Sequence, residues 1–426
     1  MEKPRNTVYQ VLLASLAGTT IEFFDFYIYA TAAVLVFPKL FFPNADPTSA
    51  TLQSLDTFAL AFLARPIGAV IFGHFGDRVG RKSTLVAALL TMGPSTVAIG
   101  FLPTYDSIGI WAPILLATFR IGQGLGLGGE WGGAILLSTE YAPANRYAWY
   151  GMFPQLGAPI GFLLSSGVFL VLSRLLTETQ FLSFGWRIPF IASSVLVWLG
   201  LYIRLKLAET PAFQKVLDNK EQVKVPFLSI ITEHTRALLQ GTFVSLTTFV
   251  LFYVMTVFTL SWGTAHLHYA RSDFLVWQMI AMLFFALGIL ISAYVADKIG
   301  TVKVLTFVSV GILFFGLFLG DLFQPDHGKL TLLFLIMGLF LMGLTFGPLG
   351  SGLAQMFPAP VRYTGASLAF TLASILGASV APYIATDLAT RYSMSFVGYY
   401  LSAAALITLV SLCSGDTVKK TNQLLV

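Results

Sequence analysis

The segment Gly73-His74-Phe75-Gly76-Asp77-Arg78-Val79-Gly80-Arg81-Lys82 separates two apolar stretches of the chain. A degenerate copy, Asp297-Lys298-Ile299-Gly300-Thr301-Val302-Lys303, follows at an offset of 220 residues, counted between the two aspartates. A second pair of related segments, 141–147 and 357–363, recurs at an offset of 216 residues, close to half of the 426-residue length. Two matches at nearly one period predict a duplicated unit with a binding site between its two copies.

The composition indicates an integral membrane protein. Hydrophobic residues make up 56% of the chain and charged residues 11%, whereas a soluble domain carries about 25% charged residues. The net charge is +5, but the basic residues lie in short clusters between apolar stretches, which disfavours a nucleic-acid partner. The single cysteine, Cys413, excludes an intramolecular disulfide and a cysteine-based metal cluster.

Twelve apolar segments are long enough to cross about 30 Å of hydrocarbon as helices. We predict spans near 8–36, 50–75, 83–102, 109–137, 148–173, 187–207, 237–263, 274–296, 303–322, 330–356, 365–388 and 396–413. The long connection 208–236 divides the chain into a bundle of six helices at 1–207 and a second bundle of six at 237–426. The predicted fold class is therefore all-α, with two six-helix bundles related by a pseudo-twofold repeat.

The distribution of basic residues predicts the orientation. Of the 25 lysines and arginines, 17 lie in loops on the side of the N-terminus, among them Arg204 near the end of the sixth span, 6 lie on the opposite side and 2 lie within spans. Since loops rich in lysine and arginine stay inside, we expect both termini to be cytoplasmic.

The pattern Gly-x-x-x-Asp-Arg-x-Gly-Arg-Lys of residues 73–82 resembles the signature loop of the major facilitator superfamily. Segments 22–26, 64–68, 120–133 and 185–190 resemble one branch of it, the metabolite:proton symporters for organic acids, shikimate or betaines. The resemblance implies a bacterial inner-membrane transporter. It also implies that the signature loop holds the two bundles together on the cytoplasmic side.

We expect a gating loop built from the signature and its partners. Asp77 can accept hydrogen bonds from the start of a neighbouring helix, while its basic neighbours can pair with Glu140 and with lipid phosphates. Topology signalling alone is the alternative role. The residues assigned to this loop are Gly73, Asp77, Arg78, Gly80, Arg81, Lys82, Glu140 and Arg146.

Six ionisable residues are predicted to lie within spans: Glu22, Asp25, Asp56, Arg65, Arg120 and Glu130. Facing lipid, they would cost roughly 15–20 kcal/mol at about 2.5–3.5 kcal/mol each, more than the typical stability of about 5–15 kcal/mol. They should therefore face inward and pair. By depth, the two pairings are a midplane group of Glu22, Asp25 and Asp56 with Arg120, and a pair between Arg65 and Glu130.

Four acids against two bases predict that at least one acid binds a proton near neutral pH. We predict that Asp25 or Glu22 carries the proton and that Arg120 is its switchable partner. The resemblance also links a span-four arginine such as Arg120 to proton coupling. The alternative is that all six residues form structural ion pairs.

Substrate contacts are predicted for Arg120 and for polar side chains of the spans. One or two arginines near the midplane favour a monoanion or a zwitterion over a tricarboxylate. The candidate residues are Arg120, Gln123, Tyr253, Gln240, Tyr29 and Gln155.

Several other functions are disfavoured by the sequence. Residues 124–129 match the dinucleotide-binding pattern G-x-G-x-x-G, but they lie inside an apolar helix, where the spacing instead predicts close helix packing. No ATP-binding loop appears and all five histidines lie at span ends or in loops, which disfavours an ATP-driven pump and a membrane metalloprotease. We expect no cofactor, no metal and no enzymatic activity.

The sequence therefore predicts proton-coupled uptake of a small organic metabolite by alternating access. The expected partners are the metabolite, protons and the lipid bilayer, and we expect a monomer. A facilitator or exporter with the same fold is the alternative, and a receptor or membrane-embedded enzyme is disfavoured by the twofold repeat.

Overall fold

The computed structural model describes residues 7–206, 209–219 and 223–414. Within these ranges, the chain contains all twelve predicted spans as helices. They are α1 (Val8–Leu35), α2 (Pro47–Arg78), α3 (Arg81–Gly100), α4 (Trp111–Thr139), α5 (Tyr147–Leu175), α6 (Arg187–Leu205), α7 (Thr235–Ala265), α8 (Arg271–Ile299), α9 (Thr301–Leu317), α10 (Gly328–Gln355), α11 (Ala359–Arg391) and α12 (Met394–Cys413).

Ten of the twelve helices in the described ranges are long and apolar enough to cross a membrane by length and composition. The other two are α4, which carries Arg120 and Glu130, and α9, which has 17 residues. Both chain ends lie outside the described residues. So do five basic residues used for the predicted orientation, which are Lys3, Arg5, Lys220, Lys419 and Lys420.

The predicted bounds differ most from the structure at two helix ends. The ninth span ends at Leu317 rather than 322, because Phe318 leaves the helical conformation (φ −100°, ψ 3°) before a short helix follows. The eleventh span begins at Ala359 rather than 365, because the prolines at 358 and 360 initiate a helical turn that runs into the helix.

Shorter helices connect the spans, and two of the spans contain a π-helical turn. The π turns lie at Val254–Phe258 in α7 and at Ile375–Ser379 in α11, the second of them just before Pro382, which lacks a backbone donor. The connecting helices are Phe37–Phe41, Tyr105–Ile108, Glu178–Gln180, Pro211–Asp218, Pro226–Glu233 and Leu319–Leu322.

Equivalent helices of the two halves make equivalent contacts, as the repeat predicts. In the first half α1 packs against α5, α2 against α4 and α3 against α6; in the second half α7 packs against α11, α8 against α10 and α9 against α12. The halves meet where α2 contacts α11 and where α5 contacts α8. We call the end of the molecule that carries the loops 73–82 and 297–303 the loop face.

The glycines of the segment 124–129 serve helix packing, as predicted. A side chain at Gly124 would collide with the backbone of Ala61 on α2, and one at Gly128 would collide with the backbone of Arg65. Gly288 and Gly343 bring α8 and α10 together in the same way. A Cβ atom added to either glycine would lie only 3.0 Å from the Cα atom of the other. Small residues therefore let these helices approach closely in both halves.

Gly128→Ala is expected to lower the midpoint of thermal unfolding in detergent, because the added methyl group overpacks the contact between α2 and α4. Overpacking typically costs about 1–3 kcal/mol. Gly167→Ala on α5 is the matched control, since its Cβ would meet only the end of Met279 at 3.8 Å. Equal midpoints for the two variants would contradict the packing role of Gly128.

Candidate functional site

Asp77 joins the two halves at the loop face. Its carboxylate accepts hydrogen bonds from the backbone N–H groups of Tyr363 (3.2 Å) and Thr364 (3.0 Å) and from the Thr364 hydroxyl (2.7 Å). These donors lie in the first turn of the α-helical part of α11, where unpaired N–H groups favour an anion. The predicted contact of Asp77 with a neighbouring helix is thus present, and we call it the first cap.

Arg81 supports the first cap from the next helix. Its Nη1 lies 2.9 Å from Asp77 Oδ1, and its Nη2 lies 3.5 Å from Glu140 Oε1. The guanidinium is buried and lies 4.8 Å from the ring centroid of Phe213. Glu209 accepts a hydrogen bond from the Arg81 backbone N–H at 3.1 Å. Glu209 was not among the predicted gating-loop residues, although an acid is the expected partner for the start of a helix.

Three glycines of the two loop segments allow the backbone turns and the close helix contact at the loop face. Gly80 and Gly300 have φ angles of 136° and 94° and occupy the same place before α3 and α9. Such angles favour glycine. Gly73 lies against Thr364, whose Cα would be 2.9 Å from an added Cβ. This glycine therefore permits the close approach of α2 and α11.

Asp297 makes the equivalent contact in the second half of the repeat. It accepts hydrogen bonds from the backbone N–H groups of Ala148 (2.8 Å) and Trp149 (3.0 Å), at the start of α5. We call this the second cap. The two aspartates at an offset of 220 residues therefore each bind the first turn of a helix in the other half.

The remaining gating-loop residues also lie at the loop face. The Lys82 ammonium donates a hydrogen bond to the carbonyl of Leu205 (2.7 Å), and Arg78 Nη1 lies 3.4 Å from His74 Nε2. Arg146 is exposed and immediately precedes α5.

The predicted pair between Arg65 and Glu130 is wrong. Glu130 instead forms an ion pair with Arg204 of α6, and both side chains are buried. Arg204 also donates a hydrogen bond to the carbonyl of Leu85 (2.9 Å). Its position near the end of the last span of the first half had suggested a loop residue. Gly18 provides the space, because any side chain there would meet the guanidinium of Arg204.

The predicted inward position of Asp56 is also wrong, because this side chain is exposed. Asp56 precedes Arg65 by nine residues on α2, and about 100° per residue places the two on opposite sides of the helix. Away from the loop face, the buried charges of the described chain are three acids and three bases: Glu22, Asp25, Glu130, Arg65, Arg120 and Arg204. The predicted excess of buried acids is therefore absent.

Asp25 and Arg120 lie in the interior of the first half but do not form an ion pair. Asp25 Oδ1 accepts a hydrogen bond from the hydroxyl of Ser193 on α6 (2.5 Å). Arg120 donates to Gln123 Oε1 (2.9 Å), and its guanidinium lies 4.0 Å from the ring centroid of Tyr29. Both charged side chains are fully buried. Among the described residues, no basic side chain forms an ion pair with Asp25.

A cavity lies between the two halves, close to Glu22 and Arg65. The Arg65 guanidinium lies 4.7 Å from the ring centroids of Phe26 and Phe62, so aromatic faces support its charge. The cavity combines one carboxyl and one guanidinium group with a mainly aromatic lining. The lining residues are Glu22, Phe23, Tyr27, Arg65, Leu127, Trp131, Ala158, Thr248, Phe249, Phe252, Tyr253, Phe285, Met342, Phe346, Phe370 and Thr371.

Of the six predicted substrate contacts, only Tyr253 lines this cavity. Tyr29 lies beneath Arg120 and donates a hydrogen bond to Thr57 (2.7 Å), and Gln123 is hydrogen-bonded to Arg120. Gln240 lines a different cleft, between α7 and α12.

Gln155, the remaining candidate, is hydrogen-bonded between Trp131 and the Phe346 carbonyl. These residues lie within predicted spans, but the direction of each side chain was not predicted. Glu22 and Arg65 were identified as buried charges rather than as the polar groups of the cavity.

Three comparisons place the chain among known proteins. A family model described as "Sugar (and other) transporter" matches residues 10–424. The inner membrane metabolite transport protein YhjE of Escherichia coli (strain K12) is 56% identical over 414 residues, which cover 96% of this chain and 94% of that protein. The shikimate transporter of the same strain is 36% identical, over 94% of this chain and 92% of that protein.

The chain belongs to the sugar (and other) transporter family. The solved structure of the major facilitator superfamily proton:xylose symporter XylE, bound to 6-bromo-6-deoxy-D-glucose, is similar in fold, with a TM-score of 0.75 and 18% identity over 95% of this chain and 94% of that chain. The family model and the relatives confirm the predicted kinship with metabolite transporters, and the solved structure confirms the twelve-helix major facilitator fold. The protein is a multi-pass membrane transporter of the metabolite and sugar type, not an enzyme.

In this transporter, contacts between the halves lie on both sides of the cavity. Toward the loop face, the rings of Trp131 and Phe370 stack with centroids 3.6 Å apart and planes at 6°. Toward the opposite face, Tyr27 lies 5.8 Å from Phe252, and Phe26 lies 6.4 Å from Tyr253, measured between ring centroids. The cavity therefore lies between two sets of contacts that join the halves.

Proposed function

We propose that the protein is a proton-coupled symporter that imports a small organic carboxylate or zwitterion across a bacterial inner membrane. The cavity supports this substrate class. Arg65 can bind a carboxylate, while Glu22 and the aromatic lining can accommodate a positive or apolar group. A cavity with one guanidinium group has too little positive charge for a tricarboxylate.

The observation that carries the proposed coupling is the environment of Asp25. Its carboxyl group is 0% exposed and receives a hydroxyl hydrogen bond, and within the described chain no cation pairs with it. A carboxyl group in such a site can gain and lose a proton as its surroundings change. We propose Asp25 as the main proton carrier, with Glu22 as the titratable group of the substrate cavity.

The proposed orientation places the loop face in the cytoplasm. The loops on this side hold 16 basic residues once the buried Arg204 is left out, against 6 in the opposite loops, and this excess supports the orientation. We propose 1–207 and 237–426 as the two moving bundles, with 208–236 as their cytoplasmic linker. A monomer contains the complete cavity and is the proposed functional unit.

Asp25→Asn is expected to abolish accumulation driven by a pH gradient, because asparagine cannot carry the proton. One pH unit supplies about 1.4 kcal/mol per proton, which corresponds to about tenfold accumulation of a monoanion.

The substrate is first selected by thermal stabilisation of the purified protein with organic acids, betaines and shikimate-like compounds at two pH values. Uptake of the selected radiolabelled compound into proteoliposomes then measures accumulation, and exchange at equal pH measures transport without a driving force.

Asp106→Asn changes an exposed aspartate and is the matched control, for which wild-type accumulation is expected. Asp25→Asn should retain exchange while it loses accumulation. Full accumulation by this variant would contradict the assignment of Asp25.

A facilitator or exporter is the second candidate, because the equal numbers of buried acids and bases remove one argument against it. For a facilitator, the wild-type protein itself would equilibrate the substrate without responding to the pH gradient.

A further inference from the structure

A cleft opens on the surface of the second half, between the loop-face ends of α7 and α12. Arg236 and Gln240 of α7 and Ser411 of α12 line it together with apolar side chains. Its volume of about 460 Å³ lies within the range of about 300–1,000 Å³ that is typical of ligand sites. The cleft is separate from the cavity between the halves, because no residue lines both.

The walls and the position of the cleft indicate that it faces lipid. Leu239, Leu406 and Val410 are 51%, 54% and 61% exposed, as is usual for side chains that contact acyl chains. Arg236 is the second residue of α7 and Ser414 directly follows α12, so the polar end lies at the loop face. From Ser414 back to Leu406, α12 extends for about 12 Å. The cleft therefore runs from the level of lipid headgroups into the hydrocarbon.

The polar end of the cleft combines a cation with an unsatisfied acceptor. Arg236 Nη2 donates a hydrogen bond to the Ser414 carbonyl (3.2 Å), and Gln240 Nε2 donates one to the Ser411 carbonyl (3.3 Å). Gln240 is buried, and its Oε1 has no hydrogen-bond partner in the described part of the protein. Because a buried carbonyl oxygen without a donor is unfavourable, a ligand that supplies a donor would be stabilised here.

These groups favour an anionic headgroup that carries a hydroxyl donor. The planar fork of N–H groups of an arginine suits phosphate, and basic pockets between membrane helices bind anionic lipid headgroups. The lining described for the cleft includes no acidic side chain, so an ammonium headgroup would find no carboxylate there. A glycerol headgroup instead offers hydroxyl groups to Gln240 and leaves the phosphate charge for Arg236.

We propose that this cleft is a binding site for phosphatidylglycerol. The lipid phosphate binds Arg236, a headgroup hydroxyl donates to Gln240 Oε1 after a small rotation of the amide, and an acyl chain lies along Val410 and Leu406. The bound lipid joins the loop-face ends of α7 and α12. Gln240 thus has a role in lipid binding rather than in the predicted contact with substrate. The inference is independent of the transported compound and of its coupling to protons.

The test is native mass spectrometry of the purified and delipidated transporter, in which each bound lipid adds its own mass. The probes are phosphatidylglycerol, phosphatidylethanolamine and phosphatidylmethanol with identical acyl chains. The first phosphatidylglycerol should bind about tenfold more tightly than phosphatidylethanolamine, because its headgroup has no ammonium group. Phosphatidylmethanol has the same charge but no hydroxyl group and should bind with intermediate affinity. Glycerol phosphate, which lacks acyl chains, should not compete.

Two variants of the polar end should change lipid binding in different ways. Arg236→Gln removes the cation and should weaken the binding of phosphatidylglycerol about tenfold or more. Gln240→Leu removes the acceptor, so phosphatidylglycerol should bind only as tightly as phosphatidylmethanol, whose own affinity stays unchanged. Arg174→Gln removes an exposed arginine in the last turn of α5, at the opposite face, and is the matched control. This variant should bind lipid like the wild type.

Val410→Trp tests the site while it keeps both polar groups. Because Val410 is exposed on the wall of the cleft, the larger side chain fills the cleft without entering the core, and the preference for phosphatidylglycerol should be lost. Equal binding of phosphatidylglycerol and phosphatidylethanolamine by the wild type, wild-type binding by Arg236→Gln, or competition by glycerol phosphate would overturn the inference. An unchanged preference for phosphatidylglycerol over phosphatidylmethanol in Gln240→Leu would refute the role of Gln240.

Discussion

Arg204→Met is expected to destabilise the folded transporter strongly, because it leaves the buried carboxylate of Glu130 without its cation. Removal of one partner of a buried ion pair typically costs about 3–5 kcal/mol, a large part of a total stability of about 5–15 kcal/mol. The Leu85 carbonyl would lose its hydrogen bond from Arg204 as well. The measurements are the midpoint of thermal unfolding in detergent and the monodisperse fraction after size-exclusion chromatography.

Two further variants distinguish the effect of losing the ion pair on stability from the general effect of losing a basic residue. Lys206→Met removes an exposed positive charge near the end of the same helix and should unfold like the wild type. The double variant Arg204→Met/Glu130→Gln removes the uncompensated charge and should recover much of the lost stability. Equal stability of Arg204→Met and Lys206→Met would contradict a stabilising role of the pair.

The spans and the repeat could be predicted because the signals are local. Apolar segments of about 20 residues, separated by charges and turns, fix the number of helices whatever their packing. Asp77 and Asp297 could be aligned because both copies of the loop segment keep the aspartate and the glycine three residues after it. The contact of Asp77 with a helix start followed from general electrostatics, without knowledge of which helix supplies it.

The pairs of buried charges could not be predicted, because they depend on the rotation of each helix about its axis. Asp56 and Arg65 share a span but point to opposite sides, so depth alone grouped Asp56 with Arg120 incorrectly. Arg204 is the penultimate residue of α6 and was therefore counted with the loop residues, yet it reaches Glu130 past Gly18. A glycine on a neighbouring helix was the available signal, but many glycines in this chain serve packing alone.

The substrate candidates depended on the same missing information. Gln123 and Gln155 lie within predicted spans, but their amides are hydrogen-bonded within the protein. The cavity is instead lined by Trp131 and Phe370, which contact each other across the two halves. Such a contact leaves no pattern in a single sequence.

Asp77→Asn is expected to favour separation of the two halves at the loop face. The carboxylate of Asp77 is bound by three donors at the start of α11 and by Arg81, and hydrogen bonds to charged groups contribute about 1.5–3 kcal/mol. Asparagine keeps the shape but loses the charge. A loss of about 1.5 kcal/mol would raise the population that is open at the loop face about tenfold. Asp297→Asn should act in the same direction but less strongly, because the second cap has two backbone donors.

Thiol labelling can measure this shift, since Cys413 is the only cysteine in the sequence and Cys413→Ser gives a background without thiols. Ser367→Cys reports on the loop-face side, because Ser367 is buried between the first cap and Phe370. Ser166→Cys reports on the opposite side, beside Tyr27. In Asp77→Asn, the labelling rate should rise at position 367 and fall at position 166. Asp106→Asn should change neither rate, and unchanged rates in Asp77→Asn would show that the first cap does not hold the halves together.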